Sequence, residues 1–145
     1  MNNNLEFRVW DKRNKQFLQE LSPYHWHNPN GETDEPEGEA NLFDLSFFIY
    51  NEKNYTVTQF TGIVDKNGNK IYNGDILRYV PDYFESKGGQ IGPTIDDVNY
   101  HFACFYFGNT QLNEYIDNEL SAAQEFPFIE LEIIGNIFEN KDLLQ

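Results

Sequence analysis

The sequence contains little cysteine, few basic residues and no long apolar run. Cys104 is the only cysteine among 145 residues, which excludes an intramolecular disulfide. Its neighbours Phe102, Ala103 and Phe105 predict a thiol packed in the core. No run reaches the roughly 18 apolar residues of a membrane span, and the N-terminus lacks the charged start and apolar stretch of a signal peptide. We therefore expect a cytoplasmic protein that does not contact a membrane.

Positive charge is scarce: ten basic residues face 24 acidic ones, which gives a net charge of −14. This charge repels a phosphate backbone and disfavours nucleic-acid binding. Residues 1–21 hold three acids and four of the bases, so the remaining chain carries −15; those bases are Arg8, Lys12, Arg13 and Lys15. Any contact with nucleic acid is expected to begin at this N-terminal segment.

Aromatic residues are abundant, with 13 Phe, 9 Tyr and 2 Trp, and they favour strands over helices. Residues 5–10 alternate, which predicts a strand with Leu5, Phe7 and Val9 on one face and Glu6, Arg8 and Trp10 on the other. A second strand around residues 16–21 would complete an N-terminal hairpin at 1–21. The sequence therefore predicts a mainly β protein.

The rest of the chain alternates between loops and short elements. Two loops rich in proline, glycine or acid are expected to be flexible, at 22–41 and 82–96. Residues 42–50 fit either helical spacing or alternation, and their aromatic content favours a strand. The other predictions are a strand at 98–107, a short helix at 117–124 and a strand at 128–138 with a break or bulge at Gly135.

The segment at residues 59–77 places two glycine turns between β-forming residues. Asn67-Gly68 predicts a type I′ hairpin turn, and Asn73-Gly74 predicts a second turn only a few residues later. Two turns at this spacing bend a sheet sharply, as a small barrel requires. The sequence predicts such an antiparallel barrel over residues 55–140.

Three islands of sequence resemble the YopX family of phage and prophage proteins. They are residues 7–12 (Phe-Arg-Val-Trp-Asp-Lys), the segment 59–77 with its two glycine turns, and residues 134–140 (Ile-Gly-Asn-Ile-Phe-Glu-Asn). The length of 145 residues fits a single domain over 1–145. The resemblance implies a small SH3-like barrel and a phage or prophage origin. It assigns no catalytic residue and no cofactor.

Few constellations in the chain suggest chemistry. His25 and His27 could face one way on an extended segment, but no third ligand stands at a diagnostic spacing, so no metal site is predicted. The segment at 65–69 lacks the glycine and glutamate positions of a calcium loop. Asp75 could be a catalytic carboxylate, although stabilisation of its turn is the simpler interpretation. We predict neither an enzyme nor a cofactor.

Binding is the remaining class of function. Exposed aromatic residues often dominate interfaces, so Trp10, Tyr72 and Tyr79 are candidate anchors, although core packing is the favoured interpretation of each. Glu130 and Glu132 could form a carboxylate row that meets a basic surface, as in a DNA-mimicking inhibitor, or could be a solvated edge. We predict a non-enzymatic phage accessory protein that binds a protein, with a basic partner and self-association as the two candidates for the contact. The alternative is a nucleic-acid-associated protein that uses the N-terminal hairpin.

Overall fold

A computed structural model describes residues 6–18, 43–80 and 93–145, and these ranges are mainly β, with eleven strands and two short α-helices. The chain divides into two compact units, Met1–Thr58 and Gln59–Gln145. The predicted loop at 22–41, with His25 and His27, lies outside the described residues, as do residues 82–92 of the second predicted loop.

The N-terminal hairpin of the first unit is confirmed. Strand β1 (Phe7–Asp11) pairs antiparallel with β2 (Gln16–Phe17), and Trp10 stands opposite Phe17. The Asp11 carboxylate accepts hydrogen bonds from the backbone of Arg13 (2.9 Å) and Asn14 (3.2 Å), which forms the turn. The prediction that Trp10 faces solvent is wrong: its side chain is 6% exposed, because its ring packs edge-on against Phe17 at 5.0 Å.

The strand predicted at residues 42–50 is also wrong, because the structure has helix α1 (Phe43–Tyr50) there. Asn51 ends the helix: both its backbone N–H and its side-chain amide donate to the carbonyl of Phe47, at 3.1 and 2.8 Å. The ring of Phe48 packs edge-on against Tyr55, 5.0 Å away. These local contacts support the helix, although the aromatic content of the segment favours a strand.

Strand β3 (Tyr55–Val64) leads into the second unit and pairs with β4 (Lys70–Tyr72), so the predicted hairpin is confirmed. The turn type is not I′, because of the pair Asn67-Gly68 only Gly68 has a positive φ, of 82°. Its N–H donates to the carbonyl of Asp65 at 2.9 Å, as in a type I turn. Strand β5 (Asp75–Tyr79) follows, and it does not pair with β3 or β4. The turn at 73–74 therefore carries the chain from one sheet to the other.

The segment predicted as one strand at 98–107 is a hairpin. Strand β6 (Thr94–His101) turns at Phe102 and Ala103 into β7 (Cys104–Phe107), which then pairs with β8 (Thr110–Gln111). Residues 94–96 of the second predicted loop therefore belong to a strand. Cys104 is half-buried beside an exposed turn, so the prediction of a core thiol is wrong.

The last elements match the sequence predictions in part. Strand β9 (Ile116–Asp117) precedes α2 (Asn118–Ser121), the short helix that was expected, and Asp117 accepts a hydrogen bond from Glu119 N–H at 2.9 Å. The predicted final strand is divided into β10 (Phe128–Ile129) and β11 (Glu132–Asn136). The register of β11 against β5 shifts between Ile133 and Gly135, which confirms the predicted bulge.

Two sheets contribute to the core of the second unit. One contains β4, β3, β10 and β9, with β10 parallel to β3; the other has the order β11-β5-β6-β7-β8. The sheets supply the buried or nearly buried apolar residues Ile63, Ile71, Leu77, Val98, Phe107 and Ile129, and the segments between strands add Leu112 and Leu131. Within the described ranges the strands form no closed barrel.

Candidate functional site

Asp75 and Tyr72 belong to one turn. Asp75 is 2% exposed, and its carboxylate accepts a hydrogen bond from the Tyr72 N–H at 2.8 Å. The bond holds the start of β5 against the end of β4, so the Asp75 side chain acts as a turn stabiliser, as the sequence favoured. The ring of Tyr72 is half-buried and packs against Phe60, with ring centres 5.6 Å apart.

The other two candidate anchors are packed aromatics. Trp10 is buried in the first unit, as described above. Tyr79 in the second unit is half-buried, packs on the core and meets the ring of Tyr115 edge-on at 5.3 Å. Neither ring stands free for a partner as the sequence interpretation required.

Glu130 and Glu132 do not form a matched pair of solvated acids. Glu130 is exposed, whereas the Glu132 side chain is 25% exposed and pairs with Arg78 and with Lys66, whose Nζ lies 3.2 Å away. Hydrogen bonds from Arg78 and then Lys66 lower the pKa of Glu132 below its ordinary value. Its charge is therefore already paired inside the molecule, which weakens the carboxylate-row interpretation.

Sequence reasoning missed a protruding hairpin, residues 99–106, which we call the aromatic arm. It is built from the end of β6 and most of β7, with Tyr100 opposite Phe105 and His101 opposite Cys104. Strand β5 pairs with β6 only as far as Asp97, and β8 pairs with the arm only at Tyr106. Within the described part of the chain, the arm therefore extends beyond the strands on either side.

The tip of the aromatic arm has unfavourable backbone angles. Phe102 and Ala103 form a two-residue turn in which both φ angles are positive, 49° and 61°. This region suits glycine and asparagine, and other residues are strained in it. The Phe102 side chain is 90% exposed, so packing in the core does not offset that strain. Backbone strain at an exposed position is a feature found at functional sites.

Rings cover both faces of the aromatic arm. On one face Tyr100, 54% exposed, packs against Phe105 with ring centres 4.9 Å apart. On the other, His101 lies flat on Tyr106 at 3.9 Å with an angle of 11° between the rings, and Phe102 meets His101 edge-on. The arm thus presents a compact set of aromatic surfaces next to solvent.

The stretch of sequence that contains the aromatic arm is acidic, and the cations nearest to β6 come from outside it: Arg78 stands opposite Ile95, and the 3-10 helix Lys141–Leu144 contacts β6. Residues 93–140 contain no Lys or Arg and nine acids: Asp96, Asp97, Glu114, Asp117, Glu119, Glu125, Glu130, Glu132 and Glu139. Burial, and then the adjacent charge of Asp96, raise the pKa of Asp97 above its ordinary value. The turn that holds Glu114 contacts β7, which places an exposed carboxylate on the unit that bears the arm.

Other site types have less support. No group of three or more His, Cys, Asp or Glu side chains that could hold a metal occurs in the ranges the structure describes. The first unit has a groove of about 540 Å³. Basic, acidic and aromatic side chains line it, among them Lys12, Phe48, Glu52, Lys53 and Tyr55. None of the described helices is both long and apolar enough to cross a bilayer.

Comparison with known proteins decides the family. The family model described as YopX protein matches residues 6–145. The chain belongs to the YopX family. Among solved structures it is similar to the crystal structure of protein EF1440 from Enterococcus faecalis, with 22% identity, 97% of this chain and 98% of that chain covered, and a TM-score of 0.55. That likeness shows a shared fold. No curated protein matches the chain.

The residues that carry the YopX resemblance have structural roles here. Asp65 is fully buried, and its carboxylate accepts hydrogen bonds from the backbone N–H groups of Asn67 (2.9 Å), Asn69 (2.8 Å) and Ile133 (3.2 Å). It therefore joins the central turn to β11, 68 residues away. Buried carboxylates with several N–H donors are common fold-stabilising groups.

The Asn136 side chain stabilises a turn near the C-terminus in a similar way. Its side-chain oxygen accepts hydrogen bonds from Phe138 and Glu139 N–H, both at 3.0 Å, and its amide donates to the Glu139 carboxylate at 2.8 Å. The family signature of this YopX chain thus describes turns and their anchors. The aromatic arm lies outside the three islands, and only its ring density and the missing cations around it could have revealed it from sequence.

Proposed function

We propose that this YopX chain is a non-enzymatic phage or prophage accessory protein that binds a basic protein partner. The observation that carries the proposal is the 48-residue stretch 93–140, which has nine acids, no Lys or Arg, and an exposed aromatic arm within it. One-sided charge steers an oppositely charged partner and suppresses wrong ones. Exposed rings supply the apolar contact that interfaces need.

A binding role fits the chain better than catalysis does. Two fully or nearly buried carboxylates, Asp65 and Asp75, accept hydrogen bonds from turn amides, so their placement serves the fold. We propose that the chain works as a single YopX-like β domain in the cytoplasm of a bacterial host. The two compact units are both covered by one YopX family model, over residues 6–145, which supports the single domain.

The finer architecture is part of the same proposal. Two sheets that line one core, joined by tight turns at 65–69 and 73–74, support a small SH3-like barrel of partly open form. In such barrels, loops and hairpins at the rim are free to vary while the core is kept. The aromatic arm would be a hairpin of this kind.

Nucleic-acid binding through the N-terminal hairpin is the second candidate, because Lys12, Arg13 and Lys15 are exposed. Several bases of this hairpin already have internal partners. Arg8 donates to Thr58 at 3.1 Å, Arg13 donates to the Tyr55 hydroxyl at 3.1 Å, and Lys12 donates to the Glu52 carbonyl. These contacts and the net charge of −14 favour a protein partner. The pairing of Glu132 makes a DNA-mimicking inhibitor the weaker alternative.

The test is affinity capture by the tagged protein from lysate of an infected or lysogenic host, with identification by mass spectrometry. We expect one basic protein in stoichiometric amount, released as salt is raised. Glu114→Lys should weaken capture, while the control Glu52→Lys in the first unit changes the net charge equally, from −14 to −12, and should not. Recovery of nucleic acid alone would overturn the proposal, and equal losses in both variants would show that the acidic stretch is not the contact.

A further inference from the structure

We infer that the aromatic arm is the element that grips the partner, and that it does so by stacking arginine side chains of a basic segment on its exposed rings. This inference rests on the proposed function and makes it specific: it names the contact and the side chain recognised. It depends on three observations, namely the geometry of the tip, the exposed rings, and the acidic sequence 93–140 in a chain of net charge −14.

The tip of the aromatic arm is poorly explained by folding alone. A type I′ turn is most favourable with Asn-Gly, yet this turn holds Phe102 and Ala103 at φ 49° and 61°. A side chain that is 90% exposed adds no core packing in return. The turn does, however, place the Phe102 ring at the end of the hairpin, where it meets His101 edge-on and is open to a partner.

The exposed rings suit a guanidinium group. Arginine stacks on aromatic faces more readily than lysine, because its charge is planar and weakly hydrated. The protein already uses this chemistry internally: the guanidinium carbon of Arg8 lies 4.3 Å from the ring centre of Phe17, and that of Arg13 lies 5.8 Å from Tyr55. On the aromatic arm, Tyr100 and Phe102 offer exposed rings of the same kind.

The net charge of the chain favours one kind of partner for the aromatic arm. A second copy of the chain would bring another −14 to a stretch of nine acids without a Lys or Arg, so self-association through the aromatic arm is opposed by repulsion. A nucleic acid meets the same obstacle. A basic protein segment satisfies both the acids and the rings.

Helix α1 is the competing apolar surface, with Phe47, Ile49 and Tyr50 exposed by 43%, 55% and 86%. The groove beside it is lined by Lys12 and Lys53 as well as by Glu52. Cations at that surface oppose a basic partner, so the aromatic arm is the better match. Tyr50 therefore supplies a control: an exposed ring of similar size in the other unit.

The experiment compares binding of hexa-arginine and hexa-lysine peptides to the full chain at low salt by fluorescence anisotropy. The two peptides carry the same charge, so attraction by charge alone gives equal affinities. Stacking on the aromatic arm should make hexa-arginine bind about two- to fivefold more tightly. Phe102→Ala should reduce that ratio, since among the Tyr and Phe rings of the arm only that of Tyr100 then remains exposed, Phe102→Leu should do the same while keeping apolar bulk, and Tyr50→Ala should leave the ratio unchanged.

The outcomes separate the two proposals. If both peptides bind equally to the unmodified chain, or if the Phe102 variants keep the full arginine preference, the aromatic arm is not the contact, although a basic partner is still supported. If neither peptide binds, the basic-partner function fails, and this inference fails with it. Because Phe102 is almost fully exposed, circular dichroism of both its variants should match the unmodified chain and confirm that they fold.

Discussion

Removing the Asp65 carboxylate should destabilise the fold more than any surface change. The Asp65 side chain is fully buried. Asp65→Ala removes the acceptor of three hydrogen bonds, which the backbone N–H groups of Asn67, Asn69 and Ile133 donate. An unsatisfied buried donor costs about 1–3 kcal/mol. Asn67 and Asn69 are exposed, so their backbone N–H groups can donate to water once the carboxylate is gone. The cost of losing each of these two hydrogen bonds therefore falls at or below the lower end of this range.

We expect a total loss of about 2–4 kcal/mol for Asp65→Ala, a large part of the roughly 5–15 kcal/mol that stabilises a typical domain. Asp65→Asn keeps one acceptor oxygen and should lose about half as much. The assay is urea unfolding followed by far-UV circular dichroism. With a slope of about 2 kcal/mol per molar urea, the midpoint of Asp65→Ala should fall by about 1–2 M.

The matched control is Glu130→Ala, which removes an exposed acid from the same unit and should change stability by less than about 0.5 kcal/mol. A shift of less than about 0.3 M for Asp65→Ala would refute the reasoning. It would mean that the hydrogen bonds from the central turn and from β11 contribute little, and that the signature residue has another role.

Three further substitutions test the geometry by thermal unfolding. Ala103→Gly should raise stability by about 0.5–1 kcal/mol, because the φ of 61° suits glycine; a loss would contradict the strained turn. Gly135→Ala should cost about 1–3 kcal/mol, since its Cβ would stand 2.6 Å from the Asn140 side-chain oxygen; an unchanged midpoint would contradict that close approach. Asp97→Asn should stabilise the fold at neutral pH. Because the pKa of Asp97 is raised in the folded chain, ionisation of its carboxyl above pH 3.8 lowers the stability of the fold. The gain in Asp97→Asn should therefore vanish below pH 3.8, where the carboxyl is protonated; a gain that persists there would contradict this explanation.

Turns were the most predictable part of the fold, because their residues act locally. The central hairpin and the turn at 73–74 follow from Asn-Gly pairs, and the bulge at Gly135 follows from a glycine inside a strand pattern. The turn type was mistaken because an acceptor at Asp65 makes a type I turn as favourable as the I′ form. Such side-chain bonds depend on contacts that a dipeptide pattern does not contain.

Tertiary context decided the elements that sequence reasoning missed. Residues 43–50 fit both periods, and the bonds that Asn51 makes to Phe47 end a helix there. The hairpin at 99–106 was hidden because Phe-Ala is the wrong dipeptide for its turn, so an aromatic run looked like one strand. Among the six predicted site residues, Trp10 is buried although it was expected to face solvent. Alternation predicts which residues share a face of the strand, but it does not predict whether other residues pack on both faces.

The most direct test of the central claim is nuclear magnetic resonance of the ¹⁵N-labelled chain titrated with hexa-arginine. We predict that the largest shift changes cluster at residues 99–106, with Phe102 and Tyr100 foremost. Changes that cluster instead on α1 or the N-terminal hairpin, or that spread evenly over the acids, would contradict the account.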